Sequence, residues 1–489
     1  MTRSAARRAG RSIASVPGVL LLMGVILSGL GHGAQAEDWP WFLGSTHLGI
    51  SHETDLAKKW PASGPPVLWK ATIGEGYSAP SVVGDRVIIH HRIRKQEFVD
   101  CLKATTGERL WRYETTTSYV DPYGYNGGPR ATPLIAQGLV ITFGAEGRLI
   151  CLDLEHGQLK WEVDCAKKWR VPEHFFGFGC SPIIDGQRLI VLVGGQPNSG
   201  VVAFDLATGN VLWEAVGKST WDGCVTSTGK PYRWTGEEMV VSYSSPVIHE
   251  VDGKRHLLCL MRQGLVSLDP ETGKERFHYW FRARVHESVN AARPVVWGRK
   301  ILLVAAYEAG SVLLELQPGG VGVIEVWKKP DQLQAHWSTP FYDQGVIYGF
   351  SGRHENGAML QAVDAESGEL LWEESGLNID AELLERSSQT GRLKRRDTGE
   401  EVPWPFFGRG SKIRIGDRYI LWSERGTLML GEFSRQGYRE VSRTGWEDLS
   451  YPTWVAPVLA NGQLYLRDED TLLCLDVAEP RIEPKTPGK

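Results

Sequence analysis

The sequence predicts an all-β fold: an eight-bladed β-propeller of four-stranded antiparallel blades, its ring closed by an N-terminal strand. Two independent phrases and their spacing predict it. The first is clearest at residues 203–213, where alternating apolar residues end at Asp205, Gly209 permits a reversal, and Leu212-Trp213 begin a second strand. It returns at 151–161 and 362–372, more weakly at 101–111 (Lys103 for the Asp) and 267–277 (Phe277 for the Trp), and in degenerate form at 313–327, 429–441 and 474–477. The second phrase, a small or polar residue or Pro before an apolar pair, a turn and a β-branched run, is marked by Pro80, Pro133, Pro182, Pro246, Pro294, Pro340, Ser411 and Pro457. Both phrases count eight, and successive marks 46 to 71 residues apart suit four short strands per repeat.

In chain order, residues 1–36 read as an export signal. Arg3, Arg7, Arg8 and Arg11 precede an apolar core at 19–30 and the small-x-small site Ala34-Gln35-Ala36. That core is too short to span a bilayer, so the mature chain is expected in the periplasm or secreted, without a transmembrane segment. Arg7-Arg8 leaves a twin-arginine route open beside ordinary secretion.

Residues 37–66, rich in Trp, Pro and Gly, are expected to pack as an extended arm. Val67-Leu68-Trp69-Lys70 resembles a Trp strand with nothing before it, and the last repeat lacks one. Joining the two completes the ring and removes an exposed edge. The propeller is thus placed at 67–478 and a tail at 479–489. Two long insertions interrupt it: 214–243, and 373–408 with a short helix expected at 381–386.

The 42% hydrophobic content suits one large domain, and the repeat accounts for many of the 19 Trp as packing between blades. A formal charge of −4 speaks against a nucleic-acid partner. Seven Cys are an odd number. Cys101, Cys151 and Cys474 share one repeat slot and read as small buried hydrophobes, while Cys165 and Cys224 are the pair expected to bridge in an oxidising compartment.

Residues before each second-phrase mark, and those in the turn between second and third strands, should crowd one mouth of the central channel. The first set is Tyr77, Arg130, Phe178, Tyr243, Asn290, His336, Arg409 and Trp454; the second includes Glu146, Gln196, Arg262, Glu308, Arg353, His354, Glu424 and Asp468. Aromatic faces and guanidinium groups in a concavity suit an anionic or conjugated small ligand. Within this ring, Arg130, Asn290 and Arg409 are the candidate ligand or cofactor contacts and His336 the candidate proton carrier. No metal site is expected: His90 and His91 would point to opposite faces of a strand.

The phrase Phe204-Asp205-Leu206-Ala207-Thr208-Gly209-Asn210-Val211-Leu212-Trp213 resembles the repeat of quinoprotein dehydrogenases that bind pyrroloquinoline quinone (PQQ), over about residues 67–478. The outer-membrane-protein assembly lipoprotein of Gram-negative bacteria resembles the same repeats without quinone chemistry. Trp39-Pro40-Trp41-Phe42-Leu43-Gly44 and Asn126-Gly127-Gly128-Pro129-Arg130 are similar to secreted PQQ-like repeat proteins of planctomycete-type bacteria. For a catalytic member the resemblance implies PQQ with Ca2+, an adjacent-Cys disulfide, calcium ligands and a base. This chain has no Cys-Cys, and only isolated Asn290, Glu308 and Asp448 stand for the ligands and base. The expectation is therefore an exported binding or scaffold propeller with a small molecule or a protein at its mouth, the other reading being a PQQ-dependent alcohol or sugar dehydrogenase.

Overall fold

The computed structural model describes residues 36–480 other than Glu173, Asn356 and Glu447. The leader and most of the C-terminal tail fall outside the described residues. Eight antiparallel blades form the β-propeller. Blade 1 runs outward through Ser81–Val83, Arg86–Ile93, Gln96–Lys103 and Arg109–Thr116. Blades 2 to 7 begin at Leu134–Ala136, Ile183–Asp185, Val247–Val251, Val295–Trp297, Phe341–Asp343 and Ser411–Ile415. Blade 8 takes Val458–Ala460, Gln463–Arg467 and Thr471–Asp476 from the C-terminal side. Its fourth strand is Val67–Thr72, paired antiparallel with Trp69 opposite Cys474 and Lys70 opposite Leu473.

Each element of the repeat has a physical task. The Asp205 carboxylate accepts from the Thr208 N–H (2.9 Å) and hydroxyl (2.7 Å), closing the turn that Gly209 completes at φ +70°. The Trp indole then donates to a carbonyl of the following blade: Trp69 to Ala104 (2.7 Å), Trp111 to Leu154 (3.0 Å), Trp161 to Leu206 (2.9 Å), Trp213 to Pro270 (3.3 Å) and Trp327 to Ala365 (3.1 Å). The turn glycines Gly107, Gly157, Gly209, Gly273 and Gly368 lie against these same rings, where a Cβ would collide. A one-residue bulge precedes the Trp, and in blade 3 it turns Leu212 to solvent while Trp213 faces inward.

The second phrase also has a reason. Hydroxyls just before the marking Pro stitch neighbouring blades: Ser181 Oγ accepts from Thr132 N–H, Ser245 Oγ from Ser181 N–H, and Thr339 Oγ1 from Arg293 N–H, each at 3.0 Å. The strand register corrects the seventh mark. Counting back from the first turn, where Ile415 pairs with Arg418 as Ala136 does with Leu139, Lys412 occupies the slot of Pro133 and Ser411 that of Thr132. Every other blade carries Pro immediately before its first strand; blade 7 carries Lys412 in that slot.

Two local expectations are revised. All seven Cys are free: Cys165 is packed with Trp169 and Phe204, whereas Cys224 lies beside the Trp221 and Trp234 cluster of the next interface. Residues 381–386 are not a helix but a single 3₁₀ turn, Ala381–Leu383, leading into a hairpin of Leu384–Arg386 with Leu393–Arg395. Turn-forming Ser387, Thr390 and Gly391 reverse the chain before a helix can continue.

The arm is not extended throughout: residues 41–49 are a run of turns, with Gly44 N–H donating to the Trp41 carbonyl (3.0 Å) and Gly49 N–H to the Leu43 carbonyl (2.8 Å), and the arm crosses the channel. Trp39 bridges Val82 of blade 1, the Pro40 carbonyl accepts from Ile135 N–H of blade 2, and Ile50–Ser51 adds a parallel strand to Arg414 and Ile415 of blade 7. Between these anchors the His47 carbonyl accepts from the Arg293 guanidinium, which is buried with no carboxylate partner among the described residues and also donates twice to the Pro246 carbonyl (3.1 and 2.9 Å). Burial lowers Arg293 to about 9.

Candidate functional site

Above the arm the channel holds a cavity of about 500 Å3. Phe42 and Leu43 of the arm form its floor, and the small residues Ala79, Thr132, Ser181, Ser245, Thr339, Ser411 and Ala456, all one place before the Pro slot, ring its lower wall. Higher up stand Tyr77, Tyr243, Tyr307, Trp337 and Trp454, and at the rim Arg353, His354 and Glu287. The loop at 117–130 leans over the opening. Its Tyr125 ring meets Phe176 (5.8 Å) and Trp454 (5.6 Å), and Tyr123 meets Phe176 at 5.2 Å.

Three of the four foremost sequence candidates come together here: Arg130, His336 and Arg409 line the cavity. Arg130 holds the overhanging loop, donating to Asp121 (2.7 Å) and to the Asn126 (2.9 Å) and Gly128 carbonyls, while its guanidinium stacks near Tyr77 and Tyr119. Arg409 is gripped by Glu424. Its Nη2 lies 2.8 Å from Oε2, its backbone N–H donates to Oε1 at 2.7 Å, and the Trp454 indole donates to the same carboxylate at 2.9 Å. The Arg409 guanidinium lies 4.7 Å from the Trp337 ring centroid and 5.3 Å from that of Trp454. This positions a cation between two aromatic faces with its charge already balanced.

His336 Nε2 is 2.9 Å from the Tyr307 hydroxyl. Desolvation, then the Arg409 and Arg353 charges, lower its pKa to about 3. It is therefore neutral at pH 7 and a hydrogen-bonding wall, too weak a base to hold a proton taken from a ligand.

Asn290 does not line the cavity. Its neighbours Val289 and Ala291 do, while the Asn290 side chain is buried against blade 4. Its amide nitrogen donates to the Met261 (2.9 Å) and Phe281 (3.0 Å) carbonyls in blade 4.

Among the remaining expected mouth residues, Phe178 packs against Phe143, with Phe176 taking its place at the opening. Glu146 instead accepts from Thr117 and Ser118 in a separate surface depression. His90 and His91 diverge as expected, Nε2 of each lying 3.2 Å from Glu97 and 3.0 Å from Asp100 respectively.

Sequence reasoning missed Phe42 and Leu43, the loop tyrosines and Lys412. The Asp121-Pro122, Gly124 and Gly127-Gly128 turn signals marked the loop but not its inward fold. Lys412 was detectable as a departure from the Pro slot once the register was fixed. Its Nζ donates to the Thr339 carbonyl (2.9 Å) between the rings of Phe341 and Phe350, and burial lowers it to about 7.

A family model described as outer membrane protein assembly factor BamB matches residues 95–374. The chain belongs to that family. It is a PQQ-repeat β-propeller. The chain is 25% identical over 173 residues to the BamB of Yersinia pestis, covering 35% of this chain and 41% of that protein. Against the BamB of Burkholderia pseudomallei strain K96243 it is 26% identical over 193 residues, covering 33% and 48%. The chain thus spans under half the length of the curated relatives it matches. In fold it is similar to the BamB structure from Moraxella catarrhalis (TM-score 0.52, 14% identity, 84% of this chain and 99% of that one). It is likewise similar to the quinohemoprotein alcohol dehydrogenase of Comamonas testosteroni (TM-score 0.54, 14% identity, 92% and 82%).

The lining can be tested against the PQQ and calcium of catalytic relatives. Aromatic walls and cations suit a planar anion, but the carboxylates do not suit calcium. Asp121, Glu424 and Glu355 are engaged by Arg130, Arg409 and Arg425, leaving Glu287 as the lining carboxylate. Glu308 stands exposed, Asp448 pairs with Lys70 at 2.6 Å, and Asn290 is spent on backbone carbonyls. No group of three or more metal-ligating side chains occurs among the described residues. The residues do not fit a calcium-quinone centre.

Proposed function

We propose that this protein is an exported binding propeller whose channel mouth takes a small planar anion. The observation that carries the reading is the closed-floored aromatic cavity with more cations than anions on its wall: Arg130, Arg353 and Arg409 line it against Glu287, Arg353 has no carboxylate partner among the described residues, and Arg130 and Arg409 are held in place by theirs. Apolar rings supply affinity by burial, and the fixed guanidinium forks supply orientation. A cavity that ends at Phe42 and Leu43 favours a small molecule over an extended protein segment. The neutral His336, and the absence among the described residues of a free carboxylate pair on the cavity wall, favour binding over dehydrogenation.

Trp337 and Trp454 make the test direct. Titration of the secreted chain with aromatic carboxylates, PQQ among them, should quench tryptophan fluorescence without calcium, and Trp337→Phe together with Trp454→Phe should remove most of the signal. Calcium-dependent binding coupled to reduction of a dye by added alcohol would reject the binding role in favour of a dehydrogenase.

A further inference from the structure

We propose that Lys412 is a covalent capture site, its amine condensing with an aldehyde or ketone carried by an anionic aromatic ligand to form an imine. The inference rests on the binding cavity proposed above and adds a reaction to it. The first observation is the repeat itself. Seven blades place Pro in this slot and blade 7 places Lys, so the propeller's packing does not call for an amine there. The second is the surroundings. Lys412 lines the cavity beside Ser411, Ser338 and Thr339, its Nζ donates to the Thr339 carbonyl at 2.9 Å, and the Phe341 and Phe350 ring centroids lie 5.1 and 5.6 Å away.

No carboxylate forms an ion pair with it among the described residues, although a buried lysine kept for structure is ordinarily paired. An ammonium so placed is costly, and a neutral amine is not. Burial correspondingly brings Lys412 to about 7, leaving a large nucleophilic fraction at neutral pH.

The chemistry balances without a co-reactant. The nitrogen lone pair adds to the carbonyl carbon, the carbonyl oxygen gains the two protons that nitrogen gives up, and water leaves as the C=N bond forms. The rim cation Arg353 would meet the ligand's carboxylate while its carbonyl end reaches the wall at Lys412.

The full secreted chain would be incubated with 4-carboxybenzaldehyde and cyanoborohydride, and the labelled lysines mapped by mass spectrometry. Lys412 should be alkylated at least about tenfold faster than the exposed lysines, as expected of an unprotonated amine in a binding site. Lys412→Met and Lys412→Arg should both lose that label. Binding is followed separately with 4-methylbenzoate, which has no carbonyl to condense. If 4-methylbenzoate quenches the cavity tryptophans but label spreads only over surface lysines, capture is overturned and binding stands. If it fails to quench and Lys412 is unlabelled, both readings fall.

Discussion

At the scale of single residues, Lys412 and Gly209 show opposite ways in which a position departs from what a neutral core would prefer. Lys412 is held near 7 in the fold against 10.5 when exposed, and the groups around it, Phe341, Phe350 and the Thr339 carbonyl, do not titrate. Between those pH values the unfolded chain binds the extra proton, so stability should rise with pH from about 7 towards 10. Lys412→Met should melt higher than the parent at pH 7, and the gap should close as pH rises; a gap constant from pH 7 to 9.5 would mean the amine is not desolvated. Gly209 is strained for any other residue. An alanine there would take φ +70° and put its Cβ 2.7 Å from the Trp161 ring, so Gly209→Ala should cost about 1–2 kcal/mol in urea unfolding from the backbone alone. Neither residue was equally visible in the sequence. Gly209 belongs to a repeated phrase, whereas Lys412 emerges only when strand register shows that it, and not Ser411, stands in the Pro slot.

At the scale of elements, the repeat was legible because most blades restate parts of one rule: an Asp-closed turn, a Gly under an indole, a small or hydroxyl residue before Pro. The arm is stated once, and its Trp, Pro and Gly content argues against a helix without saying where the segment goes. Its route is set by long-range partners, Val82, Ile135, Arg293 and Arg414, that no local pattern pairs with it. The misplacement of Asn290 has a different cause. Distance from the Pro mark sets height in the channel, but not which side chain faces it, and one step separates Asn290 from the lining Ala291. The arm's role gives a sharp expectation. Leu43 already adopts φ +64°, so Leu43→Gly relieves backbone strain while removing half of the cavity floor. Melting should shift by no more than the equivalent of about 1 kcal/mol, and 4-methylbenzoate affinity should fall severalfold. Unchanged affinity would show that ligands do not reach the floor.

For the whole molecule, the decisive contact joins the two ends of the sequence. Seven blades are built from consecutive strands, but blade 8 waits for Val67–Thr72, so the edge at Thr471–Asp476 is covered only when residues some 400 apart in sequence meet. Trp69 does two things there. It lies opposite Cys474 in the sheet, and its indole donates to Ala104 at 2.7 Å while its ring covers Gly107, fixing blade 8 to blade 1. Trp161 makes the same kind of bond to Leu206, but between blades 2 and 3, whose strands are continuous in the chain. Truncation of either ring should cost about 3–5 kcal/mol of packing. The consequences should differ in kind. Trp161→Ala leaves its blades tethered by their own sequence, whereas Trp69→Ala frees an edge strand that can pair with another molecule. Hydrogen exchange of Trp69→Ala should therefore show faster exchange at both 67–72 and 471–476, together with concentration-dependent association, while Trp161→Ala at equal stability should stay monomeric. Equal exchange and equal association in the two variants would mean that the seam between the termini is no weaker than any other interface in the ring.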